Sequence, residues 1–185
     1  IKQWFETWLE GKVSTTSKAT ADRYRTSINS FLKFIGKDSK KKLEFINERH
    51  LIKWQKQLTK RVKAKTSNGY IKDIGQALSK AHKAGYIKTN PYGTITLLPQ
   101  IDSVAKKPFE PEEIRKLLDA ATDDWQGVIL LGCYTGMRSS DAANLTWANV
   151  DVKKTLINYL PKKTRRKDRW VEVPMHPVLI DYIKG

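Results

Sequence analysis

Thr135-Gly136-Met137-Arg138-Ser139-Ser140-Asp141 is the segment whose residue types could do the most specific chemistry. Gly136 can end one helix and Ser139 or Ser140 can cap the next, which would set Arg138 beside backbone N–H groups that have no helical partner. A cation at a helix start opposes the helix dipole, so the arrangement becomes favourable when an anion sits between the guanidinium and those N–H groups. Phosphate is the natural guest. Asp141 follows within one helical turn and can hold the guanidinium in a single orientation; the structural alternative is an ordinary surface ion pair. A second concentration of charge, Lys162-Lys163-Thr164-Arg165-Arg166-Lys167-Asp168-Arg169, places six cations on one turn. Such charges repel one another and are strongly held only against phosphates, the alternative being a solvated loop.

The elements that must position these residues fall into two groups. In the first, short amphipathic helices follow one another. Trp4, Phe5, Trp8 and Leu9 share a helical face with Gly11 as a stop, and Tyr24, Ile28, Phe31, Leu32 and Ile35 form a second stripe that ends at Gly36. Asn47 or Glu48 opens a third helix with Leu51, Trp54 and Leu58 inward. Thr66 or Ser67 can cap a fourth that runs through Tyr70, Ile74, Leu78 and His82 to Gly85. Gly69 and Gly75 inside it each cost about 1 kcal/mol relative to alanine, and either mark the close approach of another backbone or simply weaken the helix.

Asn90-Pro91 breaks the helical pattern, and residues 98–108 read as a linker. A second domain then opens with Glu110, Glu112 and Glu113 around Pro111, a combination suited to the positive start of a helix. An apolar helix to Tyr134, another to about Trp147, and two strands at 155–160 and 170–174 complete a mixed helix-and-sheet unit.

With 185 residues, 39% hydrophobic and 10% aromatic, the chain can build one large or two small cores, which excludes a disordered basic tail. Its formal net charge is +16. Residues 1–100 hold 21 Lys+Arg against 7 Asp+Glu, a balance of +14, whereas residues 101–185 hold 14 against 12. A field of that size far exceeds what solubility needs and is most simply balanced by a polyanion. No apolar run approaches the roughly 20 residues of a membrane span. The single cysteine, Cys133, reads as a small buried thiol, and the tryptophans at 4, 8, 54, 125 and 147 as core anchors. No His/Cys spacing points to a metal and no glycine-rich loop to a nucleotide, so neither cofactor nor metal is expected. The opening at Ile1, without a signal-like segment, leads to the expectation of a cytoplasmic piece of a longer protein.

Thr135 to Leu145, continued by 147–151, resembles the first arginine box of the tyrosine recombinase (phage integrase) family. The Lys162-Lys163-Thr164 turn before Val171-Glu172-Val173-Pro174 resembles that family's lysine hairpin. Residues 20–34, Lys65-Thr66-Ser67-Asn68-Gly69-Tyr70, and 81–85 before Asn90-Pro91 resemble its helical core-binding domain. The resemblance implies DNA strand transfer through a covalent phosphotyrosyl intermediate without metal or external energy, with Arg138 on the scissile phosphate and Asp141 supporting it. It implies Lys163 as general acid toward the leaving 5′ oxygen, with Lys162 as the alternative. The family's His-x-x-Arg box and the tyrosine after it find no counterpart here. His50, His82 and His176 have no arginine three residues on, and Tyr182 reads as a core residue.

The expected fold is mainly α with a small β-sheet: a four-helix SAM-like core-binding domain at 1–97, the linker at 98–108, and part of an α+β catalytic domain at 109–185. Expected DNA contacts are Lys18 and Thr20, then Lys63, Lys65, Thr66 and Asn68, then Lys162, Arg165 and Arg166. The expected partner is double-stranded DNA, with assembly into a homo-oligomer on it, and the chain alone is expected not to cleave. A non-catalytic DNA-binding regulator and, more remotely, an RNA-binding domain are the competing readings.

Overall fold

The computed structural model describes residues 1–99, 107–164 and 168–185. The chain divides into two compact units, Ile1–Val104 and Ala105–Gly185.

The first unit contains helices α1 (Lys2–Thr15), α2 (Lys18–Ile35), α3 (Glu48–Thr59) and α4 (Ala64–Lys83), with two short 3-10 turns between α2 and α3. Their ends follow local chemistry. Gly36 closes α2 at φ 59°, a conformation that only glycine adopts without cost. Asn47 caps α3, and the reciprocal bond comes from the His50 ring, whose Nδ1 accepts the Asn47 N–H. Two expected boundaries differ. Helix α1 continues through Gly11 to Thr15, where Thr15 and Ser14 hydroxyls donate to the Gly11 carbonyl. Helix α4 begins at Ala64 with Lys63 as its cap residue, so Thr66 and Ser67 lie inside the first turn rather than before it.

The three-residue stripes meet in one core. Phe31, fully buried in α2, takes the edges of Phe5 from α1 at 5.6 Å and Trp54 from α3 at 4.9 Å between ring centroids. Edge-to-face rings at these separations add about 0.5–1.5 kcal/mol to the burial of their area. Ile71, Ile74, Ala77, Leu78 and Ala81 line the inner face of α4. Gly75 allows a close approach, although of a side chain: a Cβ there would lie 2.4 Å from the Tyr92 ring. No neighbour lies within 4 Å of the corresponding position at Gly69.

The second unit contains α5 (Pro111–Ala120), α6 (Asp123–Thr135), α7 (Ser139–Ala142), strands β1 (Val150–Asp151), β2 (Leu156–Tyr159) and β3 (Val171–Pro174), and α8 (Pro177–Lys184). The strands form an antiparallel sheet in the order β1-β2-β3, with Ile157 opposite Val150 on one side and Val173 on the other. Ile157 is fully buried and, with Leu130, Met137, Ala142, Met175 and Leu179, makes a second, smaller core.

The helix expected to reach Trp147 stops at Ala142, because Asn144 and Leu145 turn back onto Asp141 and Ala142 and a capped 3-10 turn follows at Trp147. Trp125 and Trp147 are 62% and 71% exposed, so they are not the core anchors their helical spacing implied. Cys133 is likewise exposed rather than buried. Tyr182 is half-exposed: its ring covers Gly127 and its hydroxyl donates to the Asp123 carbonyl, which fastens α8 to α6. Residues 100–106 of the expected linker, and Arg165 and Arg166, lie outside the described residues.

Candidate functional site

Gly136 ends α6 in the left-handed conformation at φ 66°, and its N–H returns to the Gly132 carbonyl. That reversal turns the chain outward at Arg138, which is the cap residue of α7 and is 54% exposed. Neither serine caps the helix; Ser139 and Ser140 stand in its first turn, where their backbone N–H groups face no acceptor among the described residues. Met137 beside them is buried and anchors the corner.

Asp141 connects this corner to the lysine turn. Its side chain is 3% exposed, with Oδ2 3.7 Å from the Arg138 guanidinium, and Oδ1 accepting the backbone N–H of Lys162 at 3.0 Å. Among the described residues Oδ2 has no hydrogen-bond partner. A buried carboxylate normally satisfies both oxygens, so an exposed guanidinium close to one of them is held electrostatically while its donors stay free for another anion. Lys162, Lys163 and Thr164 form a turn after Pro161, closed by the Thr164 N–H on the Pro161 carbonyl, with both lysines exposed.

In the first unit Lys18, Lys63, Lys65 and Thr66 are exposed and Thr20 is half-buried. Thr20 and Ser17 share a hydroxyl contact at the start of α2. Asn68 is a correction. It is 2% exposed, and its amide bonds to Leu98 at both ends, donating to its carbonyl at 2.8 Å and accepting its N–H at 2.9 Å. It fastens the segment after α4 and presents nothing to a ligand. Sequence could not reveal this, because the partner is 30 residues away and backbone.

The histidines have structural tasks. His50 completes the α3 cap, His82 Nδ1 meets the Ile87 carbonyl, and His176 caps α8 while stacking on Tyr134 at 4.3 Å. Among the described residues no group of three His, Cys, Asp or Glu could hold a metal ion, and no helix is long and apolar enough to cross a membrane.

The first, four-helix unit is followed by a helix-and-sheet unit in which an arginine corner is joined through a buried carboxylate to a lysine turn. The chain matches the phage integrase SAM-like domain over residues 1–97 and the phage integrase family over residues 107–184. It belongs to the phage integrase family of tyrosine recombinases. Among its relatives, IntQ of Escherichia coli (strain K12) is 24% identical over 185 residues, covering 92% of this chain and 45% of IntQ. A lambda integrase dimer bound to a COC′ core site has the same fold, with a TM-score of 0.77 at 16% identity over 94% of this chain and 62% of that one. The Tn1549 transposon integrase in complex with transposon right end DNA gives a TM-score of 0.77 at 14% identity, over 99% of this chain and 63% of that one. The chain therefore spans less than half of IntQ and about three-fifths of each integrase structure.

Proposed function

We propose that this chain is the DNA-binding part of a site-specific recombinase that cuts and rejoins duplex DNA through a 3′-phosphotyrosyl intermediate. The observation that carries the reading is the Asp141 bridge, which ties an exposed arginine and a lysine-bearing turn to one buried carboxylate. In this reading Arg138 and the free N–H groups of α7 receive the scissile phosphate and stabilise charge as it builds on the phosphorane. Lys163, or Lys162 beside it, protonates the departing 5′ oxygen. Asp141 fixes the spacing of the two.

The core-binding domain at 1–97 and the partial catalytic domain at 109–185, joined by the linker 98–108, each contact the duplex. Lys18, Thr20, Lys63, Lys65 and Thr66 position phosphates, aided by the first-turn N–H groups of α4, which no side chain caps. Arg165 and Arg166 take the same role. The chain acts in the cytoplasm on DNA carried by a mobile element, and copies assemble on the duplex, as lambda integrase does in its dimer on a core site.

A non-catalytic DNA-binding regulator is the second reading. Covalent trapping on a nicked duplex tests both. The complete recombinase traps DNA and its Arg138→Ala form does not, while both still bind. Equal trapping by Arg138→Ala rejects the phosphate role, and a full-length protein that binds without trapping selects the regulator.

A further inference from the structure

We infer that Arg23 is a DNA-contacting residue of the first unit, oriented by the buried carboxylate of Asp73. The inference rests on the DNA-binding reading above and adds to it a contact and its support. Asp73 lies on α4 and is 3% exposed, a placement that is costly for a carboxylate unless charge and hydrogen bonds compensate. Two groups from α2 do so: the Ser27 hydroxyl donates to Oδ2 at 2.8 Å, and the Arg23 guanidinium lies 3.0 Å from Oδ1. Burial pushes the Asp73 carboxyl upward, and Ser27 and Arg23 pull it back.

Because its cationic partner is exposed, the pair is screened by solvent and adds little net stability, so stability is a poor account of it. Its geometry favours orientation instead. Arg23 itself is 56% exposed, and its guanidinium carbon sits 4.9 Å from the Tyr24 ring centroid. With one edge on a carboxylate and the group against an aromatic ring, a planar fork keeps its other edge outward, the presentation that bidentate recognition of a phosphate or guanine requires.

Location supports the same reading. Arg23 stands one helical turn beyond Thr20 on α2. Asp73 stands two turns beyond Thr66 on the same face of α4, roughly 10 Å along its axis. Gly69 lies between them, with open space where a Cβ would be. Arg23 therefore fills the interval between the two groups of phosphate contacts proposed above, beside a helix surface that a DNA strand could approach closely.

Fluorescence anisotropy of the full chain with a labelled duplex over a range of salt tests this, with circular dichroism as a check on folding. Arg23→Gln should weaken binding about tenfold and make the salt slope shallower by about one. The double variant Arg23→Gln/Asp73→Asn, which leaves no unpaired buried charge, should show the same loss. Asp73→Asn alone keeps the Ser27 bond and the cation, and should weaken binding several-fold with an unchanged slope; a purely structural aspartate would move only the melting temperature. Wild-type affinity and slope in the double variant, alongside weakened binding by Lys63→Ala/Lys65→Ala, overturns the Arg23 contact while leaving the DNA reading intact. A wild-type chain without salt-dependent binding removes both.

Discussion

Asp141 Oδ1 accepts the backbone N–H of Lys162 at 3.0 Å, across 21 residues of sequence. The bond joins the arginine corner to the lysine turn and converts two separate charge clusters into one surface. It also makes Asp141 structural as well as electrostatic. Asp141→Ala should strip a part-buried N–H of its acceptor and cost about 1–3 kcal/mol, read as a lowered denaturation midpoint at unchanged slope. Asp141→Asn keeps an acceptor oxygen and should cost less. Equal stability of Asp141→Ala and the wild type would show that the bond contributes nothing.

The proton delivery proposed for Lys163 makes a distinct kinetic prediction for the complete recombinase. Lys163→Ala should slow cleavage by about 10²–10⁴-fold, the usual contribution of a general acid. Replacing the 5′ oxygen by sulfur, a leaving group that needs no proton, should restore the rate. Failure of that rescue would transfer the role to Lys162 or leave an electrostatic contribution only.

The α3 cap gives a pH prediction. Burial holds the His50 ring below its ordinary value of 6.5, and Lys53 and Lys41 push the same way against Asp38. Because the folded state binds this proton more weakly, the unfolded chain takes it up first as pH falls, so stability drops below about pH 6.5. Protonation also removes the acceptor for the Asn47 N–H, a cap bond worth about 1 kcal/mol. His50→Gln, which can cap without titrating, should flatten the decline in melting temperature between pH 7.5 and 5.5. Parallel profiles for both proteins would exclude His50 as the source. Asp73 works in the opposite sense: its raised carboxyl gains stability as pH falls into the carboxylate range, below this window.

Thr155 occupies the β1–β2 turn at φ 54°, a conformation that is costly for a β-branched side chain. Thr155→Gly should stabilise the second unit by about 1 kcal/mol, visible as a higher melting temperature. A lower one would mean that its hydroxyl contact with Lys154 outweighs the strain.

The helical unit was legible in sequence because its signals are local. The α2 stripe with Gly36, the α3 cap at Asn47 and the Glu110-Pro111 opening of α5 were all readable within a few residues of each boundary. What escaped depended on distant partners. The amide of Asn68, placed in sequence at a helix start, is bonded to Leu98 30 residues on, and the partners of Asp73, Ser27 and Arg23, are 46 and 50 residues away. Trp125 and Trp147 obeyed helical spacing yet face outward, since periodicity assigns a face but not what covers it. At the site, Arg138, Asp141 and the lysine turn were recognisable as residues, but their connection was not, because it runs through a backbone N–H that carries no sequence signature.

If the positive field of this chain meets a DNA backbone, as proposed above, duplex affinity falls steeply as salt rises. Neutralisation of about eight phosphates predicts a slope near −7 for log affinity against log salt. A slope close to zero, or binding that responds to RNA and not to duplex DNA, would contradict the account.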